Sequence, residues 1–153
     1  MAVELSTAGI TVKYGIEASA GTRPTTGYVA IPGVKSIPEF GTDINTLQST
    51  TLAATKNHTY IPGLQDPGGA IGLTVNDYED FRTAWETMLT AFATAQASGK
   101  GLWVEYAIPG LDSFYYPAVP SAIGFGGADV DEVLENVANF TPAGDYVWDT
   151  AST

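Results

Sequence analysis

The chain has no cysteine, a single histidine, and six basic residues against 17 acidic ones. Without thiols there are no disulfide staples and no thiolate metal sites, so the fold must hold by packing or by association with other copies. Such a chain suits manufacture in a reducing cytoplasm and later exposure to an oxidising exterior. His58 has no second imidazole to complete a zinc site. A serine triad would have to use the same His58, in a chain with no Gly-x-Ser-x-Gly elbow to supply the nucleophile. Gripping nucleic acid requires Lys and Arg to displace counterions from phosphate, and a net charge of −11 opposes it. No run of 18 apolar residues is present to span a membrane as a helix. The opening MAVELSTAGITVKYG places Glu4 early and has no basic stretch before an apolar one, so no secretory signal is read.

Other signatures of chemistry are missing too. The glycine clusters GLQDPGG and GFGGAD have neither a phosphate-binding lysine nor a strand–glycine–helix order, so no nucleotide cofactor is expected. Asp129, Asp131 and Glu132 lack the spacing of a calcium loop, and no carboxylate pair stands out for glycoside hydrolysis. The sequence therefore predicts a non-enzyme without cofactor or metal.

What is present is β-rich. Apolar residues make up 44% of the chain, enough for one core, while 17 glycines and nine prolines are spread throughout it. Strands are expected over 10–17, 44–52, 70–75, 101–108, 114–124, 132–141 and 146–148, with edge pieces between Tyr28 and Gly41, where Pro32 and Pro38 cannot donate to a ladder. The closing DTAST is small and polar and is expected to fray. One helix is predicted over residues 77–97. Tyr78, Phe81, Trp85, Met88, Leu89 and Phe92 recur at three- and four-residue spacing, Asn76 or Asp77 is placed to cap, and Gly99 follows the last turn. This aromatic stripe reads as core rather than as a cofactor box. Strand 101–108 alternates, with Leu102, Val104, Tyr106 and Ile108 facing one way and Trp103 and Glu105 the other. Residues 53–69 read as a long polar loop, and a loop of that length in a small domain is usually functional or disordered.

Four stretches, taken in order, resemble the major tail tube protein of long-tailed bacteriophages. They are IPGVKSIPEFG (31–41), STTLAATKNHTYIPGLQDPGG (49–69), the strand–helix–Trp-strand order over 70–108, and NFTPAGDYVW (139–148). The resemblance implies a mainly β fold of two packed antiparallel sheets flanked by the one helix, as a single tail-tube domain over 1–153 with no appended decoration domain. It also implies hexameric rings that stack into a hollow tube, through which viral DNA passes without specific binding. A long polymerisation loop, here residues 53–69, would reach the next ring, with Lys56, Asn57, His58, Tyr60, Leu64 and Asp66 as its candidate contacts. Terminal arms would add contacts. Tape-measure, tail-tip and tail-terminator proteins are the implied partners, and the virion tail the implied location after assembly in the host cytoplasm.

The acid surplus suggests a lumen wall that DNA does not bind, with Glu105, Asp129, Asp131, Glu132 and Glu135 as candidates. Two other readings stay open. One is another ring protein of the same fold group, either a tail terminator or a secretion-system tube. The other is a β-sandwich carbohydrate-binding module, with Trp103, Tyr115 and Tyr116 as a sugar platform.

Overall fold

A computed structural model describes residues 9–153 apart from 42, 54 and 67, and omits the side chains of 43, 44, 65 and 66. The expected arm at 1–8 and the Asp66 side chain therefore lie outside the described residues. The element order is β1 (Thr11–Ile16), β2 (Val29–Ala30), β3 (Val34–Ser36), β4 (Asp43–Gln48), β5 (Tyr60–Asp66), β6 (Ile71–Asn76), α1 (Glu79–Ala97), β7 (Leu102–Ala107), β8 (Ser113–Pro120), β9 (Glu135–Pro142) and β10 (Val147–Asp149). The fold is mainly β with one helix, and every strand pairing is antiparallel. Eight strands form one curled sheet in the order β2-β1-β7-β8-β9-β6-β3, with β10 added to β8, while β4 and β5 form a separate two-stranded sheet.

Period-two alternation builds the large sheet. In β6, Ile71, Leu73 and Val75 are all buried while the residues between them are not. Tyr14, Val104 and Tyr116 lie side by side across β1, β7 and β8 and share the inner face. Tyr106 and Tyr116 join hydroxyls there at 2.7 Å. Burial pushes both phenols well above their ordinary pKa, so they remain neutral donors and acceptors. Pro117 has no N–H to offer, and on one side of β8 the ladder changes partner strand beside it. β10 pairs with Ser113–Tyr115 and β9 with Ala118–Pro120, while Ala143 N–H donates to Pro117 O at 2.8 Å.

Helix α1 covers this inner face. Phe81, Trp85 and Met88 are fully or almost fully buried, and Leu89 and Phe92 pack against the same core. The Trp85 ring sits 5.1 Å from Phe140 and 5.8 Å from Phe81, and its Nε1–H donates to Ser121 O at 3.0 Å. Tyr78 departs from the expected stripe. It is the N-cap, in extended backbone before the first turn, and is 43% exposed with its ring against Gly33. Neither Asn76 nor Asp77 caps the helix through its side chain. Asp77 instead accepts two hydrogen bonds from Arg82 at 2.5 Å, which hold its carboxyl below the ordinary range against the opposing effect of burial. The C-terminus closes as the sequence predicts. Gly99 takes φ +74, its N–H donates to Gln96 O, and Lys100 N–H donates to Ala95 O, the paired bonds of a Schellman motif.

Candidate assembly surfaces

The stretch expected to be a polar loop, 53–69, contains strand β5. β5 pairs with β4 through Leu47–Ile61 and Gln48–Tyr60, and the register shifts near Gly63, which stands against the Asn45 backbone. Alternation gave no clue to β5, because Tyr60, Ile61, Pro62 and Leu64, on both of its faces, are all exposed. The tip is tied by Thr59 N–H donating to Thr50 Oγ1 at 2.9 Å, and His58 Nδ1 lies 2.8 Å from Gln48 Nε2. Lys56, Asn57 and His58 lie near the exposed tip, and Tyr60 and Leu64 lie on β5. Leu47, Tyr60 and Ile61 are at least half exposed and Leu64 is 86% exposed. An isolated two-stranded hairpin is marginal in water. This one bares its apolar side chains to solvent and, among the described residues, pairs with no strand of the large sheet.

The five acids expected on a lumen wall differ in setting. Asp129, Asp131 and Glu132 are exposed on the segment between β8 and β9. Glu135 is half-buried and ion-paired to Lys35. Glu105 is fully buried, which corrects its assignment to a water-facing wall. It does point to the outer face of β7, as alternation predicts, but the chain end lies over it.

That tail is docked, not frayed. Ser152 Oγ–H donates to Glu105 Oε1 at 2.6 Å and Ser152 N–H to Oε2 at 3.0 Å. The Tyr115 hydroxyl stands 2.8 Å from Glu105 Oε2 and 2.6 Å from Thr150 O, so its one proton serves either. Arg23 ion-pairs with Asp149, and its guanidinium lies 4.2 Å from the centroid of the Tyr115 ring. Thr153 N–H donates to Thr25 O. Burial alone would raise the Glu105 pKa, but the Ser152 and Tyr115 hydrogen bonds outweigh it and hold the group below the ordinary carboxylate range. Burial and the adjacent carboxylate push Tyr115 up to about 12.

The sugar platform does not exist as expected. Tyr115 and Tyr116 are completely buried and lie on opposite faces of β8. An apolar groove of about 820 Å³ opens beside segment 34–41, walled by Phe40, Tyr106, Phe114, Tyr146 and Trp148. Its only carboxylate is Glu39, so the paired acids of a glycosidase are not assembled there. Among the described residues no cluster of His, Asp and Glu is placed to hold a metal ion, and no helix is long and apolar enough to cross a membrane.

Sequence reasoning missed a second apolar surface. Residues 121–134 contain no strand or helix, and Phe125, Val130 and Val133 there are 76%, 88% and 68% exposed. The one available signal was large apolar residues set among glycines and acids, where no strand pattern could bury them.

A family model described as phage tail tube protein matches residues 6–148. No curated protein matches the chain. The fold is similar to a chain of the six-fold symmetrised cryo-EM structure of the anti-feeding prophage baseplate, with a TM-score of 0.65 at 10% identity over 100% of both chains. It is also similar to a chain of the native gene transfer agent virion, with a TM-score of 0.61 at 11% identity over 96% of this chain and 100% of that one. A chain of the empty gene transfer agent tail, refined helically with C6 symmetry, gives a TM-score of 0.58 at 11% identity over 92% of this chain and 96% of that one. With the family model matching almost the whole chain, and a curled β fold bearing one helix to go with it, the chain belongs to the phage tail tube protein family.

Proposed function

We propose that six copies form a ring and that rings stack into a hollow tube through which viral DNA leaves the virion. The observation that carries this reading is the bare β4–β5 hairpin. It holds exposed apolar residues on a marginal two-stranded sheet, an arrangement that becomes stable when another subunit covers it. Each subunit contributes one tail-tube domain and acts structurally rather than as an enzyme. Lys56, Asn57, His58, Tyr60, Leu64 and Asp66 serve the contact between rings. The tube meets tape-measure, tail-tip and tail-terminator proteins at assembly in the host cytoplasm.

DNA passes without being held. A basic wall would bind phosphate repeatedly, whereas a chain carrying −11 keeps an acidic or neutral conduit. Of the acids considered for that wall, Glu105 drops out because it is sealed, and Glu135 is offset by Lys35. Electron microscopy of concentrated pure protein tests the reading: long hollow filaments of uniform width are expected, and a persistent monomer would overturn it. The likeness to a baseplate chain favours a second reading, a ring protein at the tube's end, for which isolated rings without filaments are the signature. Pure protein should leave duplex DNA unretarded in a low-salt gel, where attraction would be strongest.

A further inference from the structure

Two surfaces of this subunit are apolar and uncovered, and the tip of one carries a cation where the other carries acids. Strands β4 and β5 begin and end on acids, Asp43 and Asp66, which pair at the hairpin base, and between them the one formal charge is Lys56, near the tip. The hairpin they form exposes the Leu47–Ile61 cross-strand pair and Leu64. Segment 121–134 exposes Phe125, Val130 and Val133 and carries Asp129, Asp131 and Glu132.

That segment is not a slack loop. Ser121 O accepts from Trp85 Nε1, Gly124 O accepts from Asn136 Nδ2 at 2.6 Å, and Leu134 O accepts from Asp77 N–H at 2.9 Å. Asp131 sits in the left-handed region at φ 62, which costs energy in a non-glycine residue and is concentrated at functional sites. The frame holds three large apolar side chains out in water, and segments of this length without secondary structure are usually functional.

We propose that the β4–β5 hairpin of one subunit seats on the 121–134 segment of a second copy, with Lys56 facing the acids Asp129, Asp131 and Glu132. The inference rests on the hairpin being an assembly contact and names what receives it. Symmetry favours this pairing over the alternatives. Hairpin against hairpin is a self-complementary contact that stops at a dimer, and segment against segment sets acid on acid. Hairpin against segment joins two different surfaces head to tail, the class of contact that propagates an open filament. Apolar area supplies the adhesion and the opposite charges set the register.

Absence of cysteine makes the test direct, since any introduced thiol is unique. Ile61→Cys combined with Val133→Cys, treated with a short bismaleimide after assembly, should give a ladder of covalent multimers that neither single variant gives. Lys56→Glu should slow polymerisation at low salt by about tenfold or more, since like charges face each other across the contact. Adding Asp131→Lys and Glu132→Lys to that chain should restore the rate. If the double cysteine variant fails to assemble, the charge exchange decides. Tubes that yield only monomer on cross-linking, or a Lys56→Glu defect that the acid reversals do not relieve, would overturn the pairing while leaving the hairpin's role intact. Normal tubes from Ile61→Asp would remove the hairpin reading itself.

Discussion

The chain's last five residues and its β4–β5 hairpin are both rich in Thr and Ser, yet they end in opposite conditions. The tail, Asp149 to Thr153, is tied to the body by an ion pair at Arg23 and hydrogen bonds to Glu105, Tyr115 and Thr25. The hairpin is nearly five times as long and, among the described residues, pairs with no strand of the main sheet. The tail has nothing apolar to hide and docks because a buried carboxylate needs donors. The hairpin has apolar side chains and, among the described residues, nothing that hides them. Polar satisfaction organises the inside of the subunit, and unsatisfied apolar surface organises its contacts with other subunits.

Substitutions should separate the two regimes by their effect on the isolated subunit. Trp85→Ala sets the upper limit. It removes a ring packed on Phe81 and Phe140 and orphans Ser121 O, so a loss of roughly 3–5 kcal/mol is expected in urea melts of the monomer. A loss under about 1 kcal/mol would mean that the helix is not anchored through this ring.

Glu105→Leu comes next. It leaves the Ser152 N–H and hydroxyl without their acceptor and takes away one of the two acceptors of the Tyr115 hydroxyl. Hydrogen bonds to charged groups contribute about 1.5–3 kcal/mol, and a loss within that range is expected, with Ser152 and Thr153 becoming mobile by NMR. If the tail stayed ordered, Arg23–Asp149 would be the dominant tie and the comparison would need redrawing.

Much of this was legible in the sequence, and the exceptions share a cause. Aromatic spacing gave the helix to within two residues of its start, since a one-sided apolar stripe is a local signal. Gly99 marked its end for the same reason. Alternation placed Glu105 on the correct face of β7 but could not show that residues 149–152 return to cover it, because that contact joins segments more than 40 residues apart. Tyr78 fitted the helical spacing and failed because it lies one residue before the first turn, where the chain is still extended. β5 stayed hidden behind Pro62 and Gly63 and the lack of a buried face. Among the contact candidates, Lys56, His58, Tyr60 and Leu64 fell on one hairpin, while Phe125, Val130 and Val133 were missed because irregular segments leave no periodic trace.

Acid should release the tail by a smaller, reversible step. The Glu105 carboxyl is held below its ordinary range in the folded chain, so its contribution is fully present above the unfolded pKa of about 4.3 and is lost as pH falls through the lowered folded value. Titration from pH 7 downward should therefore move the Ser152 amide resonance toward its unstructured position only at pH below about 4. Movement between pH 5 and 7 would contradict the depressed value.

The smallest effect on the subunit should accompany the largest effect on the tube. Ile61→Ser changes a side chain that is 50% exposed and stands opposite Leu47 across the hairpin. Surface changes of this kind usually lie within about 0.5 kcal/mol, so the monomer's urea midpoint should scarcely move. Polymerisation should nevertheless fail or slow severely, because an apolar anchor at the centre of a contact is repeated at every subunit and its loss accumulates along the filament. The informative quantity is the ratio of the two responses: Trp85→Ala should impair folding and assembly together, whereas Ile61→Ser should impair assembly alone. A monomer destabilised by Ile61→Ser as much as by Glu105→Leu would show that the hairpin is already packed within its own chain, and the contrast between tail and hairpin would collapse.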